Sequence, residues 1–124
     1  MSYESKRKSI AQEKSYAFAI KIVKLYQHMI SEKKEYVLSK QVLRSGTSIG
    51  ANIEEALGAQ SSKDFANKIS VAYKEARETR YWIRLLHDSD ILEEKRAVPA
   101  LADVEELIKI IGSIQKTMYE KINS

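Results

Sequence analysis

Few side chains in this sequence have the type and spacing that chemistry needs. There is no cysteine, which removes disulfides, thiolate metal sites and cysteine nucleophiles together and fits a reducing compartment. Of the two histidines, His28 follows Leu25 by three residues and His87 follows Arg84, so the Glu-x-x-His pairs of di-iron bundles are missing. Five residues before them stand Val23 and Trp82, where helical ribonucleases carry an arginine. The neighbouring acids Glu54-Glu55, Glu93-Glu94 and Glu105-Glu106 diverge by about 100° on a helix and do not converge on a shared proton. Gly46 and Gly50 have the look of a phosphate loop, but no Lys-Ser/Thr follows and no strand precedes them, so close helix packing is the reading. No catalytic, metal or cofactor site is expected, and the chain reads as a non-enzyme.

Two constellations of polar residues remain. Tyr73, Arg77, Arg80, Tyr81 and Arg84 fall on overlapping turns of one helix, where neighbouring guanidinium groups repel by a few tenths of a kcal/mol per pair. Something should compensate that charge. One reading is a phosphate-binding strip with rings for stacking on single-stranded bases. The other, preferred from sequence, is pairing with Glu75, Glu78 or acids of another helix or subunit. The second constellation is Arg44, Ser48, Asn52, Glu55 and Glu75, expected to form a buried structural network in which Arg44 pairs with Glu55.

The elements that position these groups are helices. The 124 residues suit one domain, with flexible ends of about ten residues at the N-terminus and a few at the C-terminus. With 4 Gly and 1 Pro and 44% apolar residues, long disordered tracts are not expected. A first helix runs from Lys14 to Ser31 and carries two apolar stripes. Tyr16, Ala19, Ile20, Val23, Tyr26 and Ile30 are taken as its inner face; Phe18, Ile22, Leu25 and Met29 are left over and expected to form an interface between subunits. A second helix, capped by Ser39 and ending near Gly58, turns Val42, Ile49, Ile53 and Ala56 inward. A third, capped by Ser61 or Ser62, repeats Phe65, Ile69, Ala72, Ala76, Thr79, Ile83 and Leu86 at steps of four and three, the seam of a long antiparallel pair. Asp88, Ser89 and Asp90 break it. The last helix sends Leu101, Val104, Leu107, Ile108, Ile111, Ile114, Met118 and Ile122 inward, with Pro99 either at its first position or inside a helix begun near Glu93. The expected fold is all-α, an up-down-up-down four-helix bundle.

Charge divides unevenly along the chain. Lys and Arg number 21 against 17 Asp and Glu, a formal net charge of +4, yet residues 1–40 hold +5 and residues 81–124 hold −2. This suits an anionic partner, head-to-tail contact between subunits, or a solvated surface. Without a signal-like apolar stretch or a membrane span, a cytoplasmic location with no membrane partner is expected.

The run Gln41-Val-Leu-Arg-Ser-Gly-Thr-Ser-Ile-Gly-Ala-Asn-Ile-Glu-Glu-Ala56, followed by Ser62-Lys-Asp-Phe65, Ala72-x-x-Glu75 and Tyr81-Trp82 before Leu85-Leu86, resembles the four-helix-bundle family of 23S rRNA intervening-sequence proteins. The likeness is dense over residues 39–86, with Gly50 where many relatives carry proline. It implies a bundle that assembles into a ring-shaped homopentamer, but no settled biochemical activity. At the level of fold there is also similarity to the accessory variability determinant of diversity-generating retroelements, a basic pentamer that binds nucleic acid and a reverse transcriptase. The expected role is a non-enzymatic, homo-oligomeric scaffold associated with RNA or another nucleic acid; the alternative is a purely structural or protein-interaction module with a partner protein and no nucleic acid.

Overall fold

The computed structural model describes residues 2–124; Met1, counted above in the N-terminal segment, lies outside them. Four helices follow in order: α1 (Tyr3–Ser31), α2 (Leu38–Leu57), α3 (Ser62–Asp88) and α4 (Glu94–Asn123). Each packs against its neighbours in a closed square, α1 on α2 and α4, α3 on α2 and α4. Lys14 meets Glu106 and His28 meets Glu93, while Gln12 meets Glu54 and Ser70 meets Tyr119, so neighbouring helices run antiparallel. Among the described residues there is no strand, and no helix is long and apolar enough to cross a membrane.

α1 starts at Tyr3, well before Lys14, because Ser2 caps it by accepting from the Ser5 N–H at 3.1 Å. Its buried face reverses the sequence expectation. Phe18, Ile22, Leu25 and Met29, read as a subunit interface, are buried inside the bundle, whereas Tyr16 is 68% exposed and Ile20 and Val23 also face outward. The small residues Ala11 and Ser15 are buried and extend the four-three stripe of Phe18 and Ile22 toward the N-terminus. That extension, invisible when large apolar residues alone are followed, fixes which stripe turns inward.

The turn into α2 is held by Glu35 rather than by Ser39. The Glu35 carboxylate accepts from the N–H groups of Val37, Leu38 and Ser39 at 3.2, 2.9 and 2.7 Å, and the buried Ser39 hydroxyl donates back to the Glu35 carbonyl at 2.7 Å. Partial burial opposes the ionised form of Glu35, but the backbone donors outweigh it and lower its pKa. Within α2 the small residues admit α1 closely. A Cβ on Gly46 would stand 2.8 Å from Ile22 Cγ2, and one on Gly50 would stand 3.4 Å from the Ser15 carbonyl.

α3 carries its expected seam, with Phe65, Ile69, Ala72, Ala76, Thr79, Ile83 and Leu86 all buried. Ser61 is its cap, accepting from the Asp64 N–H at 3.0 Å. At its end Asp90 takes a φ of 62°, a conformation aspartate tolerates, and Ile91 and Leu92 donate back to the Leu86 carbonyl. This folds Leu92 into the core. α4 begins at Glu94, so Pro99 lies inside the helix and the Lys95 carbonyl loses its usual i+4 donor. Val104, Leu107, Ile111, Ile114 and Met118 are buried as expected; Leu101 and Ile108 are half-buried, and Ile122 is exposed in the last turn.

Candidate nucleic-acid interface

One step along α3 from the buried seam, Tyr73, Arg77, Arg80 and Arg84 form a line on its flank toward α4, with Tyr81 beyond it. Tyr73 is half-buried against α4, where Gly112 leaves room for its ring: a Cβ on that glycine would be 3.2 Å from Tyr73 Cε2. The Arg77 guanidinium lies over this ring, 5.9 Å from its centroid. Tyr81 is 55% exposed and its ring meets Trp82 edge to face, with centroids 5.1 Å apart. Arg84 is exposed and Arg80 half-buried. Among the described residues, none of the three guanidinium groups has a carboxylate within 4.0 Å.

The acids expected to compensate them are engaged elsewhere. Arg44 of α2 donates to Glu75 at 3.1 Å and also pairs with Glu78, both on the flank of α3 that faces α2. The structural pairing preferred from sequence is thereby corrected for Glu75 and Glu78: they neutralise Arg44 and leave the strip charged. The second constellation is also revised. Arg44 and Glu75 come together, but Glu55 lies three turns further along α2, about 16 Å by helix rise, and pairs with Lys68 at 3.3 Å. Ser48 and Asn52 make bonds within α2, the Ser48 hydroxyl to the Arg44 carbonyl at 2.7 Å and the Asn52 amide to the Ser48 carbonyl at 2.8 Å. The group is a half-exposed surface cluster, because Arg44 and Glu55 project from the outer side of α2.

Three polar features escaped the sequence reading. Glu78 joins Arg44, and its spacing of three from Glu75 was the available signal. Thr79 and Ser45 meet in the interior with hydroxyls 2.9 Å apart, each also within reach of a carbonyl of its own helix, so both are satisfied without water. Beside the basic strip, Ser70 bonds the Tyr119 hydroxyl and accepts from the Gln115 amide at 2.9 Å. The bonds from Ser70 and then Gln115, with the charge of Lys74, lower the pKa of Tyr119. No sequence spacing announces these cross-helix contacts.

The fold and its outer face define an antiparallel all-α bundle with one basic and aromatic flank. The family of 23S rRNA-intervening sequence proteins matches residues 7–113, and the chain belongs to that family. A solved structure from Bacteroides thetaiotaomicron, described as a protein of unknown function from the S23 ribosomal protein family, is 46% identical, with a TM-score of 0.87 over 89% of this chain and 98% of that one. None of the curated proteins matches the chain.

Proposed function

We propose that the protein is a non-enzymatic, self-associating scaffold that binds RNA through the outer flank of α3. The observation that carries this reading is the row Arg77, Arg80 and Arg84 without carboxylate partners among the described residues, next to the exposed ring of Tyr81. Charge held in a row against its own repulsion favours a polyanion, and the rings offer stacking to unpaired bases. Membership of a family named for an rRNA insertion is in keeping with an RNA partner in the cytoplasm. Self-association is supported by the outward stripe of Tyr16, Ile20 and Val23 on α1, and the homopentameric ring implied by family resemblance would repeat the basic strip around an axis.

The test is a salt series of RNA binding by the intact protein and by an Arg77/Arg80/Arg84→Gln variant of unchanged oligomeric state. Binding should weaken steeply between low and physiological salt, with the variant's slope reduced by about two to three charges. Absent binding at low salt, or equal binding by the variant, would hand the function to the protein-interaction reading. Light scattering should report several times the 14.2 kDa of one chain.

A further inference from the structure

On the neighbouring face of the bundle, across α4 from the basic strip, α1 and α4 leave a groove of about 320 Å³ between them. Phe18, Ile22 and Leu25 of α1 form its floor with Pro99 and Ala100 of α4. The concavity has a local cause. Where α1 presents large side chains, α4 presents a proline ring and a methyl group, and these do not fill the space between the helices.

The banks of the groove are basic. Lys21 and Lys24 line it from α1, Lys95 and Arg96 from α4, with Asp103 the single carboxylate in the lining. Asp103 is neutralised by Lys21 at 2.9 Å, and Arg96 is 3.4 Å from Glu93 just outside. Lys24 and Lys95 have no carboxylate within 4.0 Å among the described residues. An apolar trough therefore lies between two unpaired ammonium groups on opposite helices.

We infer that this groove docks an acidic, amphipathic segment of a partner protein. Such a segment would insert aliphatic side chains between α1 and α4 and set acids on both sides of them against Lys24 and Lys95. Charge complementarity selects this occupant. A nucleic-acid backbone has phosphates for the lysines but no apolar group for the floor, and its sugars would be desolvated without return. A flat bilayer cannot fill a concave trough, and a single acyl chain would supply one carboxylate for two separated cations. Helix-in-groove recognition, with anchors at successive turns, meets both requirements. The inference stands apart from the RNA reading, since it uses neither α3 nor its arginines.

The probe is a synthetic helical peptide of about 15 residues, roughly four turns, with leucines along one stripe and glutamates on both flanks. Its binding is followed by fluorescence anisotropy, and its location by amide chemical shifts of the intact protein. The shifts should cluster in residues 18–25 and 95–103, and affinity should fall about tenfold or more in a Lys24→Glu/Lys95→Glu variant. Alanines for the peptide leucines should abolish binding, and Ala100→Phe, which fills the trough, should do so while RNA binding is kept. The inference is overturned if the alanine peptide binds equally well, if shifts fall elsewhere, if the charge reversals have no effect, or if an RNA oligonucleotide displaces the peptide from the groove. Loss of RNA binding in the α3 variant with peptide binding intact would bear on the RNA proposal alone.

Discussion

α2 and the outer flank of α3 treat similar residues in opposite ways. On α2 the polar groups are satisfied within the chain: Ser45 bonds the Gln41 carbonyl, Thr47 that of Leu43, and Arg44 reaches two acids of α3. On the outer flank of α3 three arginines stand one turn apart with no acid in reach among the described residues, although α3 itself carries Glu75 and Glu78. The helix turns those acids toward α2 and leaves its cations facing outward. An arginine with carboxylate neighbours serves the fold, and one kept from them is available to a ligand. Helix phase alone, a difference of one or two residues in sequence, decides between the two.

The largest expected effect breaks the packed side of this comparison with a single methyl group. At Gly46 a Cβ would stand 2.8 and 2.9 Å from the branch atoms of buried Ile22, which cannot swing away. Gly46→Ala should therefore lose about 1 to 3 kcal/mol, enough to overcome the gain of about 1 kcal/mol in helix propensity. At Gly50 the same methyl meets the Ser15 carbonyl at ordinary contact distance, 3.4 Å. Gly50→Ala should be neutral or stabilising by up to about 1 kcal/mol. Urea melts of the two variants check the opposite signs, and a shared sign would mean that α1 and α2 are not held as closely as described.

A smaller effect is expected inside the α2–α3 seam. Thr79→Val keeps the shape but removes a buried hydroxyl that bonds Ser45 and its own helix, and should cost about 1 to 2 kcal/mol in thermal or urea melts. The arginines sharpen the contrast further. Arg44→Met should cost under about 1 kcal/mol, since the cluster is half-exposed, and leave RNA binding unchanged. A double-mutant cycle should couple Arg44 with Glu78 but find Arg44 and Glu55 additive. Replacing Arg77, Arg80 and Arg84 with glutamine should leave stability within about 0.5 kcal/mol, or raise it slightly as repulsion is relieved.

The features legible in the sequence were those carried by a single helix. The seam of α3 could be read because large apolar residues and alanines share one unbroken phase, and the basic strip because its members lie on adjoining turns. α1 misled because both of its sides are apolar, and the deciding residues, Ala11 and Ser15, are too small to weigh in a hydrophobic pattern. The Arg44 cluster is half legible: Glu75 is among its expected members, but pairing Arg44 with Glu55, as polar neighbours of the apolar seam of α2, overlooks the three helical turns between them. Contacts between helices, such as Ser45 with Thr79 or Arg44 with Glu78, depend on the relative rotation and register of two helices. A one-dimensional pattern leaves that rotation open. For the same reason the strip could be listed residue by residue, while its lack of carboxylate partners could not be read.

The smallest effect at neutral pH concerns the turn from α3 into α4, where it meets the C-terminal end of α1, and it extends the contrast from arginines to a carboxylate. Glu93, just before α4, accepts from Lys33 at 3.0 Å and from His28 at 3.1 Å, and lies 3.4 Å from Arg96. The bond from Lys33, helped by His28 and a backbone N–H, outweighs desolvation and lowers the Glu93 pKa to about 2, against an ordinary value of 4.5. Because the folded form holds its proton less tightly, the unfolded chain takes up the proton first as pH falls. The contribution of Glu93 to stability is thus complete above about pH 4.5 and is lost as pH falls through about 2. Glu93→Gln should lower the melting temperature at pH 7 by a modest amount, and the gap from the parent should narrow across that interval and close near its lower end. A gap that stayed constant with pH would show that the carboxylate gains nothing from its cations, and that this joint is held by the buried side chain of Leu92 and the hydrogen bonds around it.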